Sequence, residues 1–121
     1  MAGWFAETPP AHPRVPQVVP QVEQFMLQHL AEPITMATLA QHAGYCPRHL
    51  ARLFRAQTGL SPMAYLLQLR MRQVCLLLRE TDLKLSAIGA RVGIANVAYF
   101  CALFKRRFGM TPSQYRTDVG A

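Results

Sequence analysis

Phe54…Thr58-Gly59-Leu60-Ser61-Pro62…Tyr65 returns later in the chain as Phe104…Phe108-Gly109-Met110-Thr111-Pro112…Tyr115, with every named pair at an offset of 50. Upstream, Leu39 and Gly44 match Ile88 and Gly93 at an offset of 49, so the second copy carries one extra residue in the turn that follows its glycine. A helix, a short glycine-containing turn and a second helix, present twice, make the helix-turn-helix pattern. The repeat alone leaves open a second reading, a pair of helical hairpins that merely pack together.

Proline and glycine punctuate the rest. Pro47, Pro62 and Pro112 each stand where a first helical residue would, a place where the missing N–H costs nothing. Ser61 and Thr111 precede two of them as caps, Thr35 and Asn96 cap two further helices, and Cys46 is a weaker cap than serine. Between these marks the apolar spacing is helical throughout, with no period-two stretch of strand length. The spacing predicts helices over Gln17 to Leu30, Met36 to Ala43, Pro47 to Thr58, Pro62 to about Glu80, Leu85 to Val92, Val97 to Phe108 and from Pro112 to about 117. The fold class is all-α, with seven helices. A first helix-turn-helix covers about 35–58 and a second about 85–108; the helix over 62–80, roughly 28 Å long, joins them. Five of the nine prolines lie in the first twenty residues, and residues 1–15 are read as a Pro-rich linker or tail ahead of the domain.

The 121 residues are enough for one compact unit or two small ones. Purely apolar runs such as Val74–Leu78 are far short of the roughly 20 residues of a membrane span, and a basic-then-apolar leader is missing. Three cysteines, Cys46, Cys75 and Cys101, are an odd number without paired spacing, which fits a reducing interior and a cytoplasmic location. Charge is distributed unevenly. Through Pro33 there is one basic residue, Arg14, against three acids; from Ile34 onward twelve basic residues face three acids, a balance of +9. Such a balance favours a polyanionic partner, because fixed positive charge attracts nucleic acid and releases its counterions. A solvated basic face on a protein-interaction module that holds an acidic partner is the competing reading. Ten of the twelve are arginine, whose planar fork suits bidentate contact with phosphate and guanine.

The second helix of each repeat carries the chemistry. Leu50, Leu53, Phe54 and Gln57 form the expected buried stripe of the first, while Arg48, Arg52 and Arg55 form the opposite stripe with Ala51 between them. Like charges at i, i+4 repel by a few tenths of a kcal/mol, a penalty that an anionic groove removes. Early in such a helix, Arg48 and Arg52 are placed to meet base edges, where a bidentate Arg–guanine pair discriminates by roughly 1–3 kcal/mol. In the second repeat Phe100, Leu103, Phe104 and Phe108 are the expected buried stripe; Val97, Ala98, Cys101 and Ala102 face outward, followed by Lys105, Arg106 and Arg107. Small apolar groups can touch a thymine methyl but cannot tell G from A. Arg48, Ala51, Arg52, Val97, Ala98 and Ala102 are therefore the candidate base contacts, and Arg55, Lys105, Arg106 and Arg107 the candidate phosphate contacts.

At this point Gly93-Ile94…Tyr99-Phe100…Phe104-Lys105-Arg106-Arg107-Phe108-Gly109-Met110-Thr111-Pro112…Tyr115-Arg116 closely resembles the signature of the AraC/XylS family of bacterial transcription regulators. Leu39-Ala40…Ala43-Gly44-Tyr45…His49-Leu50…Leu53-Phe54 and Leu69-Arg70…Arg72…Leu76-Leu77-Leu78 extend the resemblance over about Val19 to Arg116. It implies a seven-helix DNA-binding domain whose long fourth helix holds two recognition helices in successive major-groove segments, roughly 34 Å apart. It also implies transcription control, activation through RNA polymerase among the modes, and a separate effector-binding or oligomerisation domain, with the Pro-rich leader as the connection; a small standalone activator of the same family is the other form. Four residues depart from the family's habit: Cys46 for serine, Gly89 for alanine, Ile94 for phenylalanine and Ala102 for a polar or basic residue. Gly89 is expected to weaken its helix by about 1 kcal/mol relative to alanine.

Other chemistries fit less well. His42, Cys46 and His49 have a metal-like spacing but no fourth ligand, so no metal or cofactor is expected. Cys101, expected on an exposed face, has only Lys105 nearby to depress its pKa as a redox sensor would need. No phosphate loop or nucleophile elbow is present and the acids are scattered, which argues against an enzyme.

Overall fold

The computed structural model describes residues 14–120, and among these it contains seven α-helices and no strand: α1 (Arg14–Gln28), α2 (Met36–Ala43), α3 (Pro47–Thr58), α4 (Pro62–Glu80), α5 (Leu85–Val92), α6 (Val97–Phe108) and α7 (Pro112–Gly120). Residues 1–13 of the expected leader lie outside the described residues. Its last two, Arg14 and Val15, belong to α1, which starts three residues before the predicted Gln17 and ends at Gln28 rather than Leu30. Pro16 sits in the first turn, where its absent N–H has no bond to lose. Pro20, inside the helix, does remove one; the burial of Val18, Val22 and Met26 on the same helix offsets that loss. α7 runs three residues past its predicted end.

The chain forms two compact units. The first comprises α1 together with Ile34–Leu66, and the second His29–Pro33 together with Leu67 onward, so α4 contributes to both. In the first, α1, α2 and α3 pack on one another and bury Val18, Val22, Met26, Leu39, Ala40, Leu50 and Phe54. The Phe54 ring meets Tyr65 edge-on at 5.5 Å and 72°. In the second, Met71, Val74, Leu78, Ile88, Val92, Ile94, Phe100 and Phe104 form the core, and Phe104 meets Tyr115 edge-on at 5.6 Å and 71°. The duplication in the sequence is thus a duplication of packing.

The turns differ as the offsets require. Three residues, Gly44–Cys46, separate α2 from α3, whereas four, Gly93–Asn96, separate α5 from α6, and the chain bends there by 83°. Gly44 and Gly93 take φ of 81° and 82°, the left-handed conformation that ends each first helix. Gly89 stands where the first unit has Ala40, whose carbonyl accepts the equivalent Tyr45 N–H at 3.1 Å. Ile94 N–H donates to the Gly89 carbonyl at 2.8 Å, and a Cβ at position 89 would collide with the Ile94 carbonyl oxygen. The expected gain from alanine is therefore overturned: close packing, not helix propensity, selects glycine.

Two arginines that the charge balance assigned to the basic surface serve the fold instead. Arg70 Nη2 donates to the carbonyls of Glu32 at 2.9 Å and Leu30 at 3.3 Å, just past α1. Arg116 donates through Nε to Leu78 O at 3.2 Å and through Nη2 to Thr81 O at 3.1 Å, at the end of α4. Arg116 thereby satisfies a carbonyl that the end of α4 leaves open and places a cation at the negative end of its dipole, while Arg70 ties down the 29–33 turn.

Candidate nucleic-acid interface

Each unit presents its second helix in the same way. Leu50 and Phe54 hold α3 against its unit with no exposed surface, as Phe100 and Phe104 hold α6. The N-termini are fixed differently. Asn96 Oδ1 accepts the Tyr99 N–H at 2.9 Å at the start of α6, whereas Cys46 makes no side-chain cap to α3. Elsewhere Thr35 Oγ1 accepts from Thr38 N–H at 3.1 Å, Ser61 Oγ from Ala64 N–H at 3.2 Å, and Thr111 Oγ1 from Gln114 N–H at 3.1 Å. Gln114 Oε1 accepts the Thr111 N–H in return, closing a capping box.

Arg48, Arg52 and Arg55 are all exposed, with Ala51 half-buried beside them. At 100° per residue the three guanidinium stems fall within about 60° of one another on α3. Among the described residues no acidic side chain pairs with them; Glu32 instead lies 3.0 Å from His29 Nδ1. The arrangement is a cationic stripe, uncompensated within the unit, on the helix that a helix-turn-helix offers to a groove.

The matching face of α6 carries exposed Ala98, Ala102 and Lys105, with Val97 and Cys101 half-buried. Arg106 lies about 80° round the helix from Ala98, and Arg107 about 180°. Arg107 therefore does not share a face with Ala98, Ala102 and Lys105; it borders a groove against α4 with Phe108 and Tyr115. Three burial expectations are corrected. Gln57, predicted in the buried stripe, is exposed because α3 ends beside it. Phe108, likewise predicted buried, is 37% exposed for the same reason at the end of α6. Cys101 is half-buried rather than on an exposed face. His42 stacks on Phe25 at 4.3 Å and His49 lies against Tyr45 at 5.0 Å, so both imidazoles have ring partners.

Sequence reasoning passed over Tyr99, which is 59% exposed on α6. Its offset of 50 from exposed His49 was the available signal.

Comparison with known proteins places this geometry. A family model described as a helix-turn-helix domain matches residues 39–118. The chain is 34% identical over 106 residues to the arabinose operon regulatory protein of Escherichia coli K12, covering 87% of this chain and 36% of that protein. It is 39% identical over 89 residues to the HTH-type transcriptional activator RhaR of Cronobacter sakazakii, covering 74% of this chain and 31% of the other. Among solved structures, the DNA-binding domain of the global transcriptional factor AdpA, in complex with a target DNA, superposes with a TM-score of 0.76 at 30% identity, covering 87% of this chain and 91% of that one. The chain spans about a third of the length of the curated relatives it matches. The chain belongs to the AraC/XylS family of helix-turn-helix transcription regulators.

Proposed function

We propose that this chain is the sequence-specific DNA-binding part of a transcription activator, in which α3 reads bases in a major groove and α6 mainly anchors the complex. The observation that carries the reading is the exposed, acid-free stripe of Arg48, Arg52 and Arg55 on the second helix of a helix-turn-helix. Arg48 and Arg52 make bidentate contacts to guanine edges, Ala51 lets the helix approach closely, and Arg55 takes a phosphate. On α6, Val97, Ala98 and Ala102 offer only apolar contact, to thymine methyl groups, while Lys105 and Arg106 hold phosphates. The Tyr99 hydroxyl adds a donor on the same side of α6 as Arg106. The domain is a binding module rather than a catalyst, acts in the bacterial cytoplasm, and reaches RNA polymerase once on DNA. The greater length of the relatives supports an effector-binding or oligomerisation domain as its covalent or separate partner.

The test is the salt dependence of duplex binding. Release of counterions from about 6–8 phosphates predicts a slope of log affinity on log salt of roughly −5 to −7. Absence of duplex binding at low salt, with retention on an acidic protein, would replace this reading by that of a protein-interaction module.

A further inference from the structure

A groove of about 580 Å³ follows α4 within the second unit and is closed on its far side by the end of α6 and by α7. Leu76 and Phe108 form an apolar rim, 39% and 37% exposed, above the ring of Tyr115. Arg72, Arg79 and Arg107 stand around them, and none of the residues lining the groove is acidic. From Gln68 to Arg79 it follows the helix for about 17 Å, the length of three helical turns.

The helix-turn-helix frame does not require this surface, because the first unit does without it. The counterpart of Phe108 is Thr58, whose hydroxyl is satisfied locally by donating to Phe54 O at 2.7 Å, and the counterpart of Arg107 is Gln57. A partly exposed phenylalanine that lines a groove together with three arginines is thus a local addition to the second unit. Arg107 lies about 180° from Ala98 on α6, so the groove opens away from the side of that helix assigned to DNA.

We propose that this groove docks an acidic amphipathic helix of a partner protein, whose leucine or aromatic anchors enter between Leu76 and Phe108 while its carboxylates meet Arg72, Arg79 and Arg107. Charge complementarity sets the sign of the partner, and the three-turn length fits a helix laid in a groove better than a compact small molecule. The inference is independent of which bases α3 reads.

The probe is a fluorescein-labelled synthetic peptide of about four turns, with leucine and phenylalanine at i, i+3, i+4 and i+7 and glutamate elsewhere, added to the full chain. Saturable anisotropy is expected, with amide shifts at Leu76 and Phe108 in the NMR spectrum and no displacement by duplex DNA. The exposed pair Arg72→Glu and Arg79→Glu is expected to weaken binding about tenfold or more, with helicity and the base preferences of DNA binding retained. Leu76→Asp should do the same through the apolar rim. Equal binding of a scrambled peptide of the same composition would overturn the proposal, as would displacement by duplex DNA. Identical shifts from decanoate together with displacement of the peptide would make it a small-molecule site. Sedimentation showing a dimer that Leu76→Asp dissociates would make the occupant a second copy of the chain.

Discussion

At equivalent positions of the two units, α3 turns Arg48, Arg52 and Arg55 to solvent where α6 turns Ala98, Ala102 and Lys105. Beneath those faces the units agree closely: the Phe–Tyr edge contacts match to 0.1 Å and 1°, and both second helices span twelve residues. A duplicated helix-turn-helix keeps its core because the buried rings must interlock, but nothing in that packing constrains the outward stripe. The outward stripes have diverged into an arginine-rich face and a small, mostly apolar one, and the account of function follows from that divergence.

The largest effect tests whether the two cores are equivalent. Phe54→Ala and Phe104→Ala each remove a fully buried ring, and each is expected to cost about 3–5 kcal/mol in urea denaturation followed by circular dichroism. A small loss at one site and a large one at the other would break the equivalence. Next comes the place where the frames differ. Gly89→Ala drives a Cβ into the Ile94 carbonyl and is expected to destabilise by about 1–3 kcal/mol, whereas simple propensity predicts a gain of about 1 kcal/mol, so the sign of the change decides. At the surface, Arg48→Ala or Arg52→Ala should lose about 1–3 kcal/mol of discrimination at a single base pair, read by competition between related duplexes. Ala98→Gly should change discrimination by much less, and equal effects would erase the proposed division of labour. The smallest effect concerns the caps. Cys46→Ser supplies to α3 the side-chain cap that Asn96 gives α6, and should raise stability by about 1 kcal/mol in the same denaturation assay.

Much of the fold was legible because proline and glycine mark helix ends by local geometry alone. The starts of α3, α4 and α7 and the stops at Gly44, Gly59, Gly93 and Gly109 could be read from single residues. α1 was legible through Pro20 from its apolar spacing, which Val18, Val22 and Met26 carry into the core, but its start was set three residues late because prolines near it resemble those of a linker. At the candidate interface, periodicity placed Arg48, Arg52 and Arg55 on one side, since helical spacing fixes direction. It failed at the last turns, where Gln57 and Phe108 have the angle of buried residues but stay exposed where their helices end. Charge counting could not separate Arg70 and Arg116 from the others, because their carbonyl acceptors lie 35 to 40 residues away in sequence. Gly89 was misread for a related reason: a propensity scale contains no information about the carbonyl of Ile94.

The asymmetry between α3 and α6 is tested most directly by selecting bound duplexes from a random pool with the unmodified chain and sequencing them. The account predicts one segment with strongly specified, guanine-containing positions that become degenerate when Arg48 and Arg52 are replaced by alanine, and a second segment that stays weakly specified throughout. Two segments read with equal stringency, or specified positions that survive the loss of both arginines, would contradict it.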